Sequence, residues 1–257
     1  MGSIRRFEGR HVAVTGAGGG IGRAIALRLA AEGAQLSLLA RREEALVALA
    51  EKTGSAHVEP CDIRDHDAVE QAFARCAEVQ GPLFALVACS GIGGPNEPGP
   101  GDRFLDLVET NLTGTYRCLR AAERHLEEGP EARHLVVISS VLARIAVPGY
   151  TGYSASKAGL LGLVRSLAAE LAPRNVQVNA ICPGWVDTDM AWEGIDGLAE
   201  AIGSTREEAH AEAMRAVPLG RMGQPEDVAG VVVWLLYPDA RGVTGQAIDQ
   251  NGGAWMS

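Results

Sequence analysis

The 257-residue sequence predicts an α/β fold in which helices cover both faces of one parallel sheet. Short apolar segments alternate with longer helical patterns from end to end, as is typical of strand–helix–strand repeats. The chain is long enough for one core and no break in composition divides it, so we expect a single domain over residues 1–257. The seven predicted strands cover residues 11–15, 35–40, 56–60, 83–89, 133–139, 176–182 and 245–249.

Helices are predicted between these strands, and two of them are long, over about 102–128 and 152–172. Residues 91–101 and 184–218 form connections that are longer than usual for such a fold. The second is either a helical lid that closes over an apolar substrate or a helical pair that buries its own core. Its apolar residues are Trp185, Met190, Trp192, Ile195, Leu198, Ile202 and Met214.

A glycine-rich turn, Gly16-Ala17-Gly18-Gly19-Gly20-Ile21-Gly22, follows the first predicted strand and precedes an alanine-rich helix pattern. Glycines let the backbone approach a pyrophosphate closely, and the helix offers free N–H groups and the positive end of its dipole. The usual Gly-x-Gly-x-x-Gly spacing is not met, but Thr15-Gly16-x-x-x-Gly20-x-Gly22 is. We therefore predict a dinucleotide site in a doubly wound, Rossmann-type sheet.

Tyr153 and Lys157 stand one helical turn apart. A fixed cation beside a phenol favours the phenolate, so we expect the pKa of Tyr153 to lie below its usual value of about 10. A tyrosine activated in this way can give and take protons. The pair alone is common on helix surfaces, but beside the glycine turn it indicates an enzyme site.

With these signals, the chain resembles the short-chain dehydrogenase/reductase family over nearly its whole length. Further motifs that carry the resemblance are Cys61-Asp62-Ile63, Asn111-Leu112-Thr113-Gly114, Val136-Val137-Ile138-Ser139-Ser140, Pro183-Gly184-Trp185-Val186-Asp187-Thr188 and Asn251-Gly252-Gly253. The resemblance implies hydride transfer between a nicotinamide coenzyme and a ketone or secondary alcohol. Ala88-Cys89-Ser90-Gly91 replaces the family's usual Asn-Asn-Ala-Gly, which puts the bracing at the centre of the sheet in question.

The resemblance assigns the catalytic roles to Asn111, Ser140, Tyr153 and Lys157. Ser140 is chosen over Ser139 because it lies thirteen residues before the tyrosine. The serine would bond the substrate oxygen, the tyrosine would transfer its proton, and the lysine would support the tyrosine and hold the nicotinamide ribose. Asn111 would order a water in a proton relay, or it is a backbone-bonding residue within its own helix.

The implied coenzyme-binding residues are Gly16, Gly18, Gly19, Gly20, Ile21, Arg41, Arg42, Asp62, Ile63, Ser90, Gly91, Tyr153, Lys157, Pro183, Gly184, Val186 and Thr188. Asp62 is the expected adenine contact. The second strand ends without the acid that holds the adenosine ribose in NAD enzymes, and the guanidinium of Arg41 suits the extra phosphate of NADP. We therefore predict NADP(H) rather than NAD. The alternative is that Arg41 and Arg42 merely begin a surface helix.

Composition argues against several other classes of function. The net charge of −9 disfavours nucleic acid, and no apolar run reaches the length of a membrane span. Five scattered cysteines indicate a reducing cytoplasm, and the histidines lack metal-ligand spacing, so no metal is predicted. A nucleotide-sugar epimerase or dehydratase would share Tyr-x-x-x-Lys but needs an extended carboxyl-terminal domain. An NADP-binding regulator without turnover typically loses the tyrosine or lysine.

Within the family, the long insertion and Val217-Pro218-Leu219-Gly220-Arg221 are similar to aromatic polyketide ketoreductases, 3-oxoacyl carrier-protein reductases and ring-alcohol dehydrogenases. We therefore expect a small carbonyl or alcohol substrate, apolar or cyclic. Arg144 would contact an acidic substrate or phosphopantetheine arm, or is an exposed loop arginine. A homotetramer is expected, because family members pair through the helix over 152–172, which carries the small residues Ala155, Ser156, Gly159 and Gly162.

Overall fold

In this computed structural model, which describes residues 5–54 and 56–256, seven parallel strands form one sheet in the order β3-β2-β1-β4-β5-β6-β7. The strands are β1 His11–Thr15, β2 Gln35–Ala40, β3 His57–Pro60, β4 Ala85–Ala88, β5 Arg133–Ile138, β6 Val176–Pro183 and β7 Ala247–Gln250. Their ends lie within two residues of the predicted ones. The order reverses between β1 and β4, as in a doubly wound sheet, and the predicted fold class is confirmed.

Helices pack on both faces of this sheet. The α-helices of the described residues are α1 Gly20–Ala31, α2 Glu43–Thr53, α3 His66–Gln80, α4 Phe104–Val108, α5 Thr115–Arg124, α6 Thr151–Leu171, α7 Asp189–Ile202, α8 Arg206–Arg215 and α9 Pro225–Leu235. Ala13 of β1 belongs to the core shared with α3, α5 and α6, whereas Val12 and Val14 belong to the core shared with α1, α2 and α9. This alternation follows from the two-residue period of a strand. Among the described helices, none is long and apolar enough to cross a membrane.

The prediction of one long helix over 102–128 is wrong in detail, because this segment is divided into two α-helices by a π-helical turn. The helical part consists of α4, a π-helical turn at Glu109–Gly114, and α5, and it ends at Arg124. A π turn inserts one residue into the helical repeat and changes the direction of the side chains that follow. Beyond Arg124 the chain leaves the helix, and Leu126 pairs with Leu83 beside the sheet.

Part of the insertion at 184–218 packs into a buried cluster to which Met222 and Ala254, from outside the insertion, also contribute. The cluster consists of Ile195, Ala199, Ala209, Ala213, Met214, Val217 and Met222, with Trp185, Ala191, Trp192, Leu198 and Ala254 packed against it. Ile202 and Met190 are 52% and 44% exposed. A Cβ on Gly93 would lie 2.9 Å from the Met190 sulfur, so this methionine faces the loop after β4.

The glycine turn provides a stability test with a control in the same turn. A Cβ on Gly22 would lie 2.2 Å from the carbonyl oxygen of Gly16, which is backbone and cannot rotate away. Gly22→Ala should therefore lower the free energy of unfolding by about 3 kcal/mol. A Cβ on Gly19 meets no atom within 4 Å, so Gly19→Ala should have little effect. Urea titration of both variants checks this, and equal midpoints would contradict it.

Candidate active site

The carboxyl ends of β1 and β4 meet at the point where the strand order reverses. The Thr15 hydroxyl, at the end of β1, accepts the N–H groups of Cys89 at 3.1 Å and Ser90 at 3.2 Å. These two bonds brace the centre of the sheet at the segment where the sequence departs from the family pattern. Thr15 therefore braces this segment even though the family's usual asparagines are absent.

The glycine turn after β1 has the geometry of an anion cradle. Gly16 has a φ of 68° and Gly20 a φ of 48°, both in the region that favours glycine. A Cβ on Gly16 would lie 2.7 Å from the Ser90 nitrogen. Helix α1 begins after Gly19 without a side-chain cap and without an acidic residue in its first turn. Its amino-terminal N–H groups and dipole therefore fit a pyrophosphate.

At the adenosine end of the predicted site there is one more positively charged side chain, Arg64, than the sequence motifs indicated. Arg41 and Arg42 are exposed at the end of β2. Asp62, after β3, forms an ion pair with Arg64, in which Arg64 Nη2 lies 2.7 Å from Asp62 Oδ2. The Arg64 hydrogen bonds hold the pKa of Asp62 below its usual value, and Arg41 acts in the same direction. Arg64 was not among the predicted residues, although opposite charges two positions apart were a visible signal.

Asn111 joins three segments of the site rather than bonding within its own helix. Its Oδ1 accepts the N–H of Ile92 at 2.8 Å, and its Nδ2 donates to the Ile92 carbonyl at 3.0 Å. The same Nδ2 donates to the Ser156 hydroxyl of α6 at 3.1 Å. Asn111 is fully buried in the π turn, so the turn serves to aim its amide at the loop after β4. A Cβ on Gly91 would lie 3.1 Å from Asn111 Oδ1, which explains a glycine there.

The structure separates the two adjacent serines at the end of β5. The Ser139 hydroxyl donates to the backbone carbonyl of Lys157 at 2.9 Å, which ties β5 to α6. The Ser140 hydroxyl accepts the Leu142 N–H at 3.1 Å, and it is close enough to the Tyr153 phenol to lower the pKa of that group. Ser140 is therefore the serine that shares a polar contact with the tyrosine.

Burial changes the protonation of both Tyr153 and Lys157. It raises the pKa of the Tyr153 phenol, and the hydrogen bond with Ser140 lowers that pKa by less. The expectation of a lowered tyrosine pKa is therefore wrong for this structure. The reason is geometric: Lys157 Nζ donates to the Ile138 carbonyl at 3.0 Å and lies 5.7 Å from the centre of the phenol ring. Burial also lowers the pKa of Lys157 to about 8.

The end of β6 closes the other side of the site. A Cβ on Gly184, directly after Pro183, would lie 3.0 Å from the backbone of Asn251. Val186 pairs with Gly223 in an isolated bridge. Thr188 caps α7 by accepting the Ala191 N–H at 3.3 Å. Its methyl group lies 3.2 Å from the position of a Cβ on Gly20, so the insertion begins beside the glycine turn.

Arg144 is occupied within the chain, so neither sequence interpretation describes it fully. Its guanidinium pairs with Asp249 at 3.4 Å, donates to the Ala247 carbonyl at 3.3 Å and lies over the Trp255 ring at 4.7 Å. It fastens the loop after Ser140 to β7. In the described part of the chain, no group of three His, Cys, Asp or Glu residues is arranged to hold a metal ion.

Comparison with known proteins identifies the family. The sequence model of a family described as enoyl-(acyl carrier protein) reductase matches residues 16–254. The short-chain reductase protein NovJ of Streptomyces niveus is 39% identical over 246 residues, 93% of this chain and 92% of that protein. The 3-oxoacyl-[acyl-carrier-protein] reductase MabA of Mycobacterium bovis is 36% identical over 252 residues, 97% of this chain and 94% of that protein.

A solved structure of a variant actinorhodin polyketide ketoreductase with NADPH is 34% identical, with a TM-score of 0.88 over 98% of this chain and 99% of that one. The chain belongs to the short-chain dehydrogenase/reductase family, as its motifs predict. It is an oxidoreductase that uses a nicotinamide coenzyme and acts on a CH–OH/C=O pair. Gly16, Gly20 and the uncapped start of α1 fit the pyrophosphate of such a coenzyme.

The lowered pKa of Lys157 can be measured directly, because the chain contains only two lysines, Lys52 and Lys157. In lysine-labelled protein without coenzyme, NMR titration should give Lys157 a midpoint near 8, since burial opposes the charged ammonium. The Lys52→Arg variant leaves one lysine signal and makes the assignment. A midpoint at the ordinary value of 10.5 would show that the ammonium is solvated and would contradict the prediction.

Proposed function

We propose that the protein is an NADP(H)-dependent ketoreductase or alcohol dehydrogenase for small apolar or cyclic substrates. The observation that carries the proposal is that Tyr153 and Lys157, one turn apart on α6, are held at the carboxyl end of β5, where Ser140 follows, by the bond from Lys157 Nζ to the Ile138 carbonyl. This group lies at the same edge of the sheet as the glycine turn. A proton donor and a coenzyme cradle are the two parts that hydride transfer to a carbonyl requires.

The proposed mechanism assigns one task to each polar side chain. When bound, the nicotinamide supplies or accepts the hydride. Ser140 donates a hydrogen bond to the substrate oxygen, and Tyr153 donates a proton to that oxygen in reduction or removes it in oxidation. A phenol has an ordinary pKa of about 10 and burial raises that of Tyr153, so the group carries its proton at neutral pH and can act as the donor.

Lys157 and Asn111 support this proton transfer. Lys157 would bind the nicotinamide ribose and stabilise the phenolate that forms when Tyr153 gives up its proton. A pKa of about 8 lets the lysine change protonation near neutral pH. Asn111 would order the water that refills the relay, and the bonds of its side chain to Ile92 and Ser156 fix the position of the residue.

Other residues proposed from the sequence would bind the adenosine half of the coenzyme. Arg41 and Arg42 would bind the additional phosphate of NADP, with Asp62 and Ile63 at the adenine. NADPH in the related ketoreductase structure supports this choice. The remaining contacts would come from Gly18, Gly19, Ile21, Ser90, Gly91, Pro183, Gly184, Val186 and Thr188.

We further propose one domain over residues 1–257, in which residues 184–218 form the substrate lid. Exposed Met190, facing Gly93, is the lid residue in the best position to contact an apolar substrate. The relatives named for 3-oxoacyl and polyketide reduction favour a carbonyl substrate of that type. The family model is described as an enoyl reductase, so reduction of a C=C bond is the competing activity to test.

A homotetramer in the cytoplasm completes the proposal. On α6, Ala155 is exposed and the nearest atom to a Cβ on Gly162 would be 4.0 Å away, on Arg165, so this face has room to receive a second chain. Ser156 and Gly159 contribute less than predicted, because Ser156 bonds Asn111 and Gly159 packs against Leu112. The cytoplasmic location is supported by the cysteines, all five of which are free thiols.

Coenzyme preference should depend on Arg41. Arg41→Ala removes a charge-assisted bond to the additional phosphate and should weaken NADPH binding by roughly 1 to 3 kcal/mol, with little change for NADH. Arg64→Ala is the matched control: its guanidinium already pairs with Asp62, so its loss should affect both coenzymes alike. Fluorescence titration of the wild type and both variants with each coenzyme measures the six affinities. A wild-type protein that prefers NADH would refute the NADP assignment.

Turnover should depend on the Tyr153 hydroxyl. Tyr153→Phe keeps the ring and should retain NADPH binding, while kcat falls on the order of a hundredfold to ten-thousandfold. Tyr150→Phe is the control, because this ring lies edge-on to Tyr153 at 6.4 Å. The substrates are cyclic ketones, a 3-oxoacyl thioester and a 2-enoyl thioester. Reduction of the enoyl thioester alone, or a folded Tyr153→Phe enzyme within tenfold of wild type, would overturn the proposal.

A further inference from the structure

Asn96 is a buried polar residue in an exposed loop. The 91–101 loop joins β4 to α4, and both neighbours of Asn96 in the sequence are exposed, whereas Asn96 itself is 6% exposed. An amide loses its bonds to water on burial, and the loss must be offset by hydrogen bonds in the protein. The partners of Asn96 therefore indicate what the residue does.

On one side, Asn96 caps the helix that carries the acid–base pair. Its Oδ1 accepts the N–H of Gly152 at 2.7 Å, and its own N–H donates to the Gly149 carbonyl at 2.8 Å. Its Nδ2 also lies 3.1 Å from the Thr151 hydroxyl. Tyr150, which directly precedes α6, supplies no side-chain cap. The cap of α6 thus comes from a residue more than fifty positions earlier in the chain.

On the other side, Asn96 binds Asp102, which lies two residues before α4. Its Nδ2 donates to Asp102 Oδ1 at 3.0 Å, and the same oxygen accepts the N–H of Phe104 at 2.9 Å. The two helices meet at this point without intervening space. A Cβ on Gly152 would lie 3.0 Å from Phe104 Cα and 3.1 Å from Asn96 Oδ1.

This network reaches the candidate catalytic residues from both directions. Gly152 directly precedes Tyr153, and α4 leads into the π turn that holds Asn111. Asn111 in turn bonds Ile92, four residues before Asn96 in the same loop. A shift of the first turn of α6 would therefore change the contact of Tyr153 with Ser140.

We propose that Asn96 is a positioning residue, which sets Tyr153 against Ser140 by joining the starts of α4 and α6. This inference rests on the proposed role of Tyr153 in proton transfer. A displacement of a reacting group by about 1 Å can cost on the order of a hundredfold in rate. Loss of the Asn96 bonds should therefore lower kcat and leave the coenzyme site intact.

The position requires an amide because its two ends face groups of opposite kind. Oδ1 accepts an N–H, whereas Nδ2 donates to the carboxylate of Asp102. In Asn96→Asp the second end becomes an acceptor opposite an acceptor, and two carboxylates repel each other. In the double variant Asn96→Asp, Asp102→Asn, the donor and acceptor exchange places and the pair is complementary again. The oxygen that caps α6 is kept in the exchange, whereas the Phe104 N–H loses its acceptor, because Asp102 Oδ1 serves both Asn96 and Phe104.

The test compares Asn96→Asp, the double variant, Tyr153→Phe and Asn179→Ala. Asn179 is the matched control, because it too is a buried asparagine bonded in both directions, to the Val243 carbonyl and the Gln246 N–H. We expect Asn96→Asp to lose roughly tenfold to a hundredfold in kcat, with KM and NADPH affinity within about threefold of wild type. The double variant should recover part of the lost kcat, because the 96–102 pair is restored while the Phe104 N–H stays without its acceptor. Asn179→Ala should lose thermal stability but keep its kcat.

Each result bears on one claim. Wild-type kcat in a folded Asn96→Asp protein, or a folded double variant that stays as slow as the single one, would overturn the inference. If Asn96→Asp does not fold, the double variant still decides, since it must both bind NADPH and turn over. Turnover retained by Tyr153→Phe would refute the proposed proton transfer instead. Turnover lost by Tyr153→Phe but kept by Asn96→Asp would refute only the role of Asn96.

Discussion

The docking of the first two turns of α6 on the carboxyl end of β5 is the constraint on which the candidate active site depends. Lys157 Nζ donates to the last carbonyl of β5, and the Ser139 hydroxyl donates to the Lys157 carbonyl. Asn111 adds a bond to Ser156 from the neighbouring π turn. Because all these groups are buried, breaking any one bond would leave a polar atom without water or partner. The acid–base residues are therefore fixed to the sheet, and Asn96 adds a bond to the start of α6 from the loop after β4.

Close backbone approach makes this docking possible. A Cβ on Gly91 would lie 3.1 Å from Asn111 Oδ1. A Cβ on Gly152 would lie 3.0 Å from Phe104 Cα, and one on Gly184 would lie 3.0 Å from the Asn251 backbone. The first two glycines bring the loop after β4 and helix α4 against α6, and the third brings β6 against the carboxyl-terminal segment. Without these contacts, the ends of the strands could not gather a coenzyme cradle and a proton donor in one place.

Burial also sets the protonation of the site. It opposes charge on the Tyr153 phenol and on the Lys157 ammonium, so the pKa of the first rises while that of the second falls to about 8. Both shifts favour the neutral forms of the two side chains over an ion pair between phenolate and ammonium. The tyrosine is kept in its proton-bearing form, and the Ser140 hydroxyl provides the opposing bond that makes release of this proton less costly.

The sequence by itself determined the sheet, the glycine cradle and the pairing of Tyr153 with Lys157, because these depend on periodicity and on spacings within a few residues. Tertiary structure decided the rest. The different contacts of Ser139 and Ser140, the rise in the pKa of Tyr153 and the break in the long helix all depend on neighbours that lie far away in the chain. The Asn96–Gly152 bond is of the same kind, at a separation of 56 residues. No local pattern encodes such contacts, since only the packing of elements decides which buried polar groups meet and which charges lose their water.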